Sequence, residues 1–505
     1  MERRLPPCEV RGRRPAGLNT PLRHDRVGAE PGACEGMSMA DLRETLEREL
    51  KLSTGERFAM PDLGGEAIAT RVFVSTYHDT PEHRLARSGL TLRYRVENGR
   101  GRWQLKLPRG DARLELEADG SARTVPPRIA GLLPALVRGT KLVPVARLRT
   151  RRAGLRVDGA EVVHDVVSVL DGQRVSRTFD ELEVELIEGD ERTLRRLEKA
   201  LRRAGALDGE ARPKVFRALD LADPLDVHGV PAGSSASAHL AAALATQYRR
   251  LLAHDPGTRL GTEPESLHQL RVATRRLRAF LRAGRPLLDE TWADELRAEL
   301  RWLGGALGPV RDLDVLLEHL RVEAEALDGP DSAGATTVLS ALGRERTTAR
   351  RRLLRVLGSS RYLALLDRLE VAGDPPLASP PPTLEIEDIW RAEHARLRKA
   401  VARLGAEPED EELHGVRIRV KRARYAGELV GLDRYVRAAK TLQDVLGAHQ
   451  DSVVAEERLR RVAASHPDAA VAAGRLVDRE RRRRARGKPD WKKQWAALSK
   501  QAKKV

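Results

Sequence analysis

The period of the sequence changes once, near residue 238, and that change constrains the architecture more than any single motif. From about residue 42 to 220, apolar and polar residues alternate in short runs, the period of a half-buried β-strand. Leu90 to Val96, Trp103 to Leu107, Arg113 to Glu117, Gly154 to Val157, Val162 to Val169 and Glu181 to Ile187 read as strands. Asn98-Gly99, Asp119-Gly120, Asp158-Gly159 and Asp171-Gly172 suit tight hairpin turns between them. One helix, Glu191 to Ala204, stopped by Gly205, closes an antiparallel, mostly β domain. From about 238 the chain reads as long helices of Leu, Ala and Arg, interrupted at Gly304-Gly305, Asp328 to Pro330, Asp374 to Pro382 and Pro408. This half is all-α, and Pro375, Pro376, Pro380, Pro381 and Pro382 divide it in two.

A chain of 505 residues exceeds one ordinary core of roughly 100 to 200 residues. The expected organisation is a disordered Pro/Gly/Arg-rich extension at 1–38, a β domain at 39–222, a linker at 223–237 and a helical domain at 238–505. Met37 and Met39 stand just before the first ordered pattern, and a start site assigned too far upstream would explain the extension. Both cysteines, Cys8 and Cys34, fall in it, which leaves the body without a disulfide framework, a thiol metal site or a Cys nucleophile. No apolar segment follows the early arginines and no stretch approaches the roughly 18 apolar residues of a membrane-spanning helix, so cytoplasm is the expected compartment. Lys and Arg outnumber Asp and Glu by 91 to 74, and the net charge of +17 implies an anionic partner. Aromatics at 3% argue against a reader that stacks single-stranded bases.

Residues two apart on a strand share a face. That arithmetic groups Glu47, Glu49 and Lys51, Arg93 with Arg95, Gln104 with Lys106, Arg113 with Glu115 and Glu117, Arg149 with Arg151, and Glu181 with Glu183 and Glu185. The alternate positions, among them Leu50, Leu92, Leu105, Leu114 and Val184, are largely apolar. One such strand is an ordinary half-solvated sheet, but here the pattern recurs with acids and bases mixed. If the sheet closes into a barrel, its lumen holds both. Carboxylates bind hard divalent cations that keep phosphate oxygens among their ligands, and Arg and Lys neutralise the remaining phosphate charge.

In order, Glu47-x-Glu49-x-Lys51, Tyr77-His78-Asp79-Thr80, Gly89 to Arg95, Trp103 to Lys106, Arg113-x-Glu115-x-Glu117, Glu181-x-Glu183-x-Glu185 and Lys214 resemble the CYTH, or triphosphate tunnel metalloenzyme, superfamily. The resemblance implies an eight-stranded antiparallel tunnel that acts on triphosphate compounds with magnesium or manganese. It implies metal ligation by Glu47, Glu49, Glu115, Glu117, Asp165, Glu183 and Glu185. Lys51, Arg93, Arg95, Lys106, Arg113 and Lys214 would contact phosphate in catalysis, with Arg149 or Arg151 as a further candidate. The Pro- and Leu-rich stretch 126–148 aligns least well.

In the second half, His268, Arg271, Arg275, Arg278, Arg282 and Arg285 are spaced 3, 4, 3, 4, 3, one face of a helix. No acid lies between His268 and Leu288, so intrahelical pairing does not explain the arginines. The spacing returns at His414, Arg417, Lys421 and Arg424, an offset of 146 (414 − 268), and Asp312 corresponds to Asp451 at an offset of 139 (451 − 312). Two matches at similar offsets indicate an internal duplication, each half a helical bundle, with the two basic helices brought together by pseudo-symmetry.

These strings, with Arg311-Asp312-Leu313-Asp314, resemble the CHAD domain, the conserved histidine α-helical domain. The resemblance implies two pseudo-symmetric four-helix bundles whose basic cleft binds inorganic polyphosphate. His268, Arg271, Arg275, Arg278, Arg282, Arg311, His414, Arg417, Lys421 and Arg424 would line it, with Arg346, Arg350, Arg351, Arg355 and the 479–486 run as further cations. Gln450 stands where the first copy has Arg311, so the two halves are not expected to bind alike. The expected fold is multidomain α+β, an N-terminal antiparallel β tunnel or barrel followed by an all-α duplicated four-helix-bundle domain. The expected function is an inorganic triphosphatase joined to a polyphosphate-binding module, with association with polyphosphate granules as an extension of it. The rivals are a non-catalytic polyphosphate scaffold and, less favoured, a non-specific nucleic-acid binder.

Overall fold

Between Leu42 and Leu221 the alternating pattern becomes nine strands and five helices: β1 (Arg43–Thr54), β2 (Glu66–Asp79), α1 (Arg84–Arg87), β3 (Thr91–Glu97), β4 (Arg100–Arg109), β5 (Ala112–Asp119), α2 (Pro127–Ala130), α3 (Pro134–Val137), β6 (Val143–Val157), β7 (Ala160–Asp171), β8 (Arg174–Leu186), α4 (Glu191–Arg203), β9 (Ala206–Asp208) and α5 (Lys214–Leu219). The computed structural model describes residues 42–110, 112–210, 212–221, 234–380, 383–405, 407–487 and 490–505. The extension expected at 1–38 and most of the linker expected at 223–237 lie outside these residues.

The strands run antiparallel in the order β5-β4-β3-β2-β6-β7-β8-β1, and β5 also pairs with β1, so eight strands close a barrel. β9 extends the edge of β1 at Leu52 to Thr54. Asn98 and Gly99, with φ of 49° and 75°, and Asp158 and Gly159, with 48° and 75°, have the paired positive φ of tight hairpins, as expected. Asp119-Gly120 does not form one. Both edges of β5 are already taken by β4 and β1, so the chain leaves through α2 and α3 and returns as β6 on the opposite side. The β4–β5 turn falls instead at Gly110, where φ is 63°.

The barrel is polar inside and apolar outside. Leu92, Leu105, Leu114 and Leu116 face outward and are buried with Ile129, Leu133 and Leu136 of α2, α3 and their loop. Leu197 and Leu201 of α4 cover Leu52, Val162, Leu182 and Val184. Each leucine buried in this way contributes about 1.5–3 kcal/mol. α4 is held at its start by Asp190, whose carboxylate accepts from the Arg192 and Thr193 amides at 3.0 and 2.9 Å. α5 packs Val215 and Phe216 against Tyr77, Leu148 and Val167 and carries Lys214 into the lumen.

Among the described residues the second half contains ten α-helices: α6 (Ala236–Leu260), α7 (Pro264–Ala283), α8 (Glu290–Ala324), α9 (Pro330–Leu357), α10 (Ser360–Glu370), α11 (Ile386–Val401), α12 (Asp410–Val430), α13 (Asp433–Ser465), α14 (Ala470–Gly487) and α15 (Asp490–Ala502). The expected break at Gly304-Gly305 is absent, and α8 runs through it and through Pro309. Burial of Leu300, Leu303, Leu307 and Val310 outweighs the roughly 1 kcal/mol that each glycine costs a helix. The distal parts of α8 and α13 form a separate core with α9 and α14, from Leu313 to Leu320 on one side and Ala455 to Val462 on the other.

The two halves touch directly. Arg138, just after α3, donates to Asp367 at 2.8 Å, to Glu370 and to the Tyr248 hydroxyl, while Arg109 Nε donates to Glu263 at 2.8 Å. No helix among the described residues is long and apolar enough to cross a membrane.

Candidate functional sites: a charged tunnel and a basic helical cleft

The barrel encloses a cavity of about 270 Å³ whose charges are sorted by strand. β4, β3, β2 and β6, consecutive around the wall, contribute Lys106, Arg93 and Arg95, Arg71, and Arg152. The remaining consecutive strands, β7, β8, β1 and β5, contribute Glu161 and Asp165, Glu183 and Glu185, Glu47 and Glu49, and Glu115 and Glu117. Lys51 on β1, Arg113 on β5 and Lys214 on α5 are the cations of the acidic side, so eight carboxylates face eight cations among the lining residues. The cavity is thus an acidic arc opposed to a basic arc.

Every residue expected as a metal ligand lines this cavity, and so do Lys51, Arg93, Arg95, Lys106, Arg113 and Lys214. Arg149 and Arg151 do not. They are exposed on the outer face, because Leu148, Thr150 and Arg152 are the inward set of β6, one residue out of step with the expectation. Arg71 and Glu161 were missed; recognising β2 as a strand would have found Arg71 by its alternation with Phe73, Ser75 and Tyr77.

The arcs are bridged by buried ion pairs. Glu183 Oε1 receives Lys214 at 2.7 Å and Lys51 at 3.3 Å, and its Oε2 receives Arg152 at 2.7 Å. Arg152 also grips Asp165 in bidentate fashion, at 2.7 Å through each contact. At the other end, Lys106 pairs with Glu47, Arg93 Nε donates to Gln104 at 2.7 Å, and Gln104 donates to Glu117 at 2.6 Å. The Arg95 guanidinium lies 3.6 Å over the Phe73 ring.

In the helical half, α7 and α12 lie side by side, pinned by Arg276 and Glu428 at 2.7 Å. The duplicated stripes meet there, with Arg271 and Arg275 from one copy beside Arg417 and Lys421 from the other. The two aspartates that the duplication matches organise them: Asp312 holds Arg271 at 3.0 Å and Asp451 holds Arg417 at 3.9 Å. His268 sits beside Arg311, whereas His414 Nδ1 lies 3.0 Å from Gln450 Oε1, so the copies differ where the sequence said they would. Arg278 and Arg282 continue the stripe toward Arg297 and Arg301. Arg424 is tied to Glu428 and donates to Gln443 at 3.1 Å.

A CYTH domain model matches residues 45–217 and a CHAD domain model matches residues 242–460. An uncharacterized protein of Mycobacterium tuberculosis is 32% identical over 466 residues, covering 82% of this chain and 88% of its own. This chain is a CYTH–CHAD protein. Among solved structures, PptA from Streptomyces chartreusis is 26% identical with a TM-score of 0.47, over 52% of this chain and 100% of that one. The CHAD domain from the plant Ricinus communis is 25% identical with a TM-score of 0.45, over 54% and 95%.

In the CYTH tunnel the lining acids separate into two sorts. Asp165, Glu117 and Glu183, all expected as ligands, have both oxygens engaged by cations or by Gln104, so they act here as counter-charges. Burial pushes Glu183 up, but Lys214, Lys51 and Arg152 overcome it and hold it well below the ordinary range. Glu47 and Glu185 go the other way. Burial raises Glu47, and so does the adjoining Glu115; burial raises Glu185, and so does Glu47. Glu185 lies opposite Glu49 on β1 and Glu161 on β7, a cross-strand row of like charges, and it has no cation within 4 Å among the described residues. Glu115 Oε1 is buried without a hydrogen bond. The unpaired Glu185 carboxylate and the unbonded Glu115 Oε1 are oxygen donors that fit a hard divalent cation, although no ready-made cluster of three converged ligands exists among the described residues.

In the CHAD cleft, burial followed by Arg417, Arg275 and Arg271 lowers Lys421 to about 8. Burial, then Arg311, holds His268 below its usual value, leaving a neutral ring able to donate from one nitrogen.

Proposed function

We propose that the CYTH domain is a metal-dependent phosphohydrolase that cleaves inorganic triphosphate, or a closely related triphosphate compound, and that the CHAD domain binds inorganic polyphosphate. The observation that carries the enzymatic reading is the opposition of the two arcs. A triphosphate lying between them meets Arg93, Arg95, Lys106 and Arg152 on one side and carboxylates on the other. The carboxylates repel it unless a cation intervenes, so Glu47, Glu49 and Glu185, with Glu115 beside them, are the residues that would hold magnesium or manganese. The metal, when bound, polarises a phosphoryl oxygen and orients water. The chain's own part is positional: the basic arc fixes the phosphates in line and stabilises charge on the transferred group. Arg95, lowered to about 10 by burial and by Arg93, remains charged at neutral pH.

Purified protein with triphosphate and magnesium or manganese should release phosphate, and chelation should stop it. A panel including thiamine and nucleoside triphosphates reads the substrate's organic part. A second reading, in which the tunnel only binds, draws on the closed pairs of Lys51, Lys214 and Arg152; absence of turnover with every metal would favour it.

For the CHAD cleft, reversing Arg271, Arg275, Arg417 and Lys421 to Glu should abolish retention on immobilised polyphosphate. The reversal places four carboxylates where four cations converge. Affinity of the unaltered protein should also fall between pH 7 and 9, because Lys421 loses its proton as pH rises through about 8. DNA at equal phosphate concentration and physiological salt should compete poorly. In this reading the CHAD domain keeps a phosphate polymer near the enzyme, in the cytoplasm or on polyphosphate granules.

A further inference from the structure

A third charged region lies outside the tunnel and the duplicated cleft. Where α8 and α13 leave the main core alongside α9, the three helices surround a pocket of about 840 Å³, some three times the tunnel cavity. Its floor is made of small residues, Gly305, Ala306 and Pro309 of α8 and Ala341 and Ala349 of α9. A Cβ added to Gly305 would meet nothing within 4 Å. The rim carries Arg344, Arg352 and Arg355 of α9, Arg458 and Arg461 of α13, and His466. Glu345 is the one carboxylate among the lining residues, and it is committed to Arg458 at 3.1 Å. The side chains of Arg352 and Arg355, about one turn apart, have no hydrogen bond or ion pair among the described residues. Like charges at that spacing destabilise a helix when no anion compensates them.

The second copy of the duplication fills the corresponding place. The offset of 139 that relates Asp312 to Asp451 carries Arg458 to His319 (458 − 139) and Leu313 to Ser452 (313 + 139). There the buried Glu480 of α14 pairs with His319, accepts from Ser452 Oγ at 2.6 Å and lies 3.5 Å from the Arg483 guanidinium. One copy supplies its own carboxylate and is closed; the other lacks it and is open.

We propose that the α8–α9–α13 pocket is a second oligophosphate site, separate from the cleft, that takes a short run of phosphates on Arg352, Arg355 and Arg461. It shares with the proposed function the premise that this domain binds phosphate polymers, and the test separates the two. Asp451, beside Arg417, and Arg458 are seven residues apart, two turns along one face of α13 and about 10 Å. The phosphates are therefore either part of a long chain that also occupies the cleft or a free short oligophosphate.

Full-length protein in EDTA, which prevents turnover, is titrated with long-chain polyphosphate and with triphosphate. In the Arg352→Gln/Arg355→Gln/Arg461→Gln variant, long-chain affinity should fall roughly tenfold or more and its dependence on salt should become shallower. Loss for the long chain alone assigns the site to a threaded polymer, and loss for triphosphate as well assigns it to a free oligophosphate. Unchanged binding of both, with loss on Arg271→Gln/Arg417→Gln, would overturn the pocket and leave the cleft reading standing; no loss in either variant overturns both. Independently of any variant, long-chain polyphosphate should protect Arg352 and Arg355 of the unaltered protein from phenylglyoxal, read by mass spectrometry. Equal modification with and without polymer would also overturn the proposal.

Discussion

Replacing Glu49 and Glu185 together by glutamine should reduce triphosphate hydrolysis by about 10³-fold or more and leave the barrel folded. The two carboxylates are direct cross-strand partners between β1 and β8. Glu185 has no cation within 4 Å among the described residues, and the nearest to Glu49 is Lys51 at 3.8 Å. Lys51 is also held by Glu181 and Glu183, at 3.2 and 3.3 Å, so little in the ligand-free barrel depends on the charge of Glu49 and Glu185, and removing two facing carboxylates relieves repulsion worth a few tenths of a kcal/mol to about 1 kcal/mol. The expected pattern is a melting temperature equal to or above that of the unaltered protein, with phosphate release near background at every magnesium concentration. If hydrolysis survives, the metal is held elsewhere and the row of acids has another purpose. If the melting temperature collapses, the two groups are structural.

Glu183→Gln should behave in the opposite way, with a large loss of stability. Among the described residues its carboxylate is the only counter-charge that Lys51, Lys214 and Arg152 all share, at 3.3, 2.7 and 2.7 Å. Neutralising it leaves buried cations under-compensated, which typically costs about 3–5 kcal/mol. Because Glu183 is held below the ordinary carboxylate range in the folded chain, its contribution is complete above that range and is lost as pH falls through the lower folded value. The difference between variant and parent should be constant from neutral pH down to about pH 5 and shrink at more acid pH. Denaturant titrations at a series of pH values test this. A difference that does not vary with pH would mean that packing, and not charge, makes Glu183 important.

Much of this was legible in the sequence, for a physical reason. A strand that carries charge on one face and leucine on the other reports its orientation directly, and ordered pairs such as Glu47 with Glu49 and Arg93 with Arg95 were sorted correctly into the lumen. What failed were the absolute phase of a strand with charges on both faces and the recognition of one with none in sequence register. β6 carries Arg147, Arg149, Arg151 and Arg152, and only closure against β2 and β7 decides that Arg152 is the inward one. Arg71 was invisible because β2 was not read as a strand. In the helical half, spacing found both basic stripes and their duplication. It matched Asp312 with Asp451 but not to the arginines they hold, since both belong to other helices and reach the stripes only in three dimensions. The open pocket beyond the cleft was equally hidden, because it depends on three helices diverging around Gly305 and Pro309.

The close matching of carboxylates and cations along the tunnel would let it act as an ion exchanger in the proposed reaction. A bare polyanion entering such a lumen would leave the carboxylates unbalanced, and a bare metal would do the same to the arginines. In the proposed reaction, metal and triphosphate entering together would let internal pairs dissociate and find new partners, the carboxylates on the metal and the cations on the phosphates. Charge balance would then favour the two ions together over either alone. The same exchange would give the products of the proposed reaction a way out, since the pairs opened to admit metal and substrate can close again behind them.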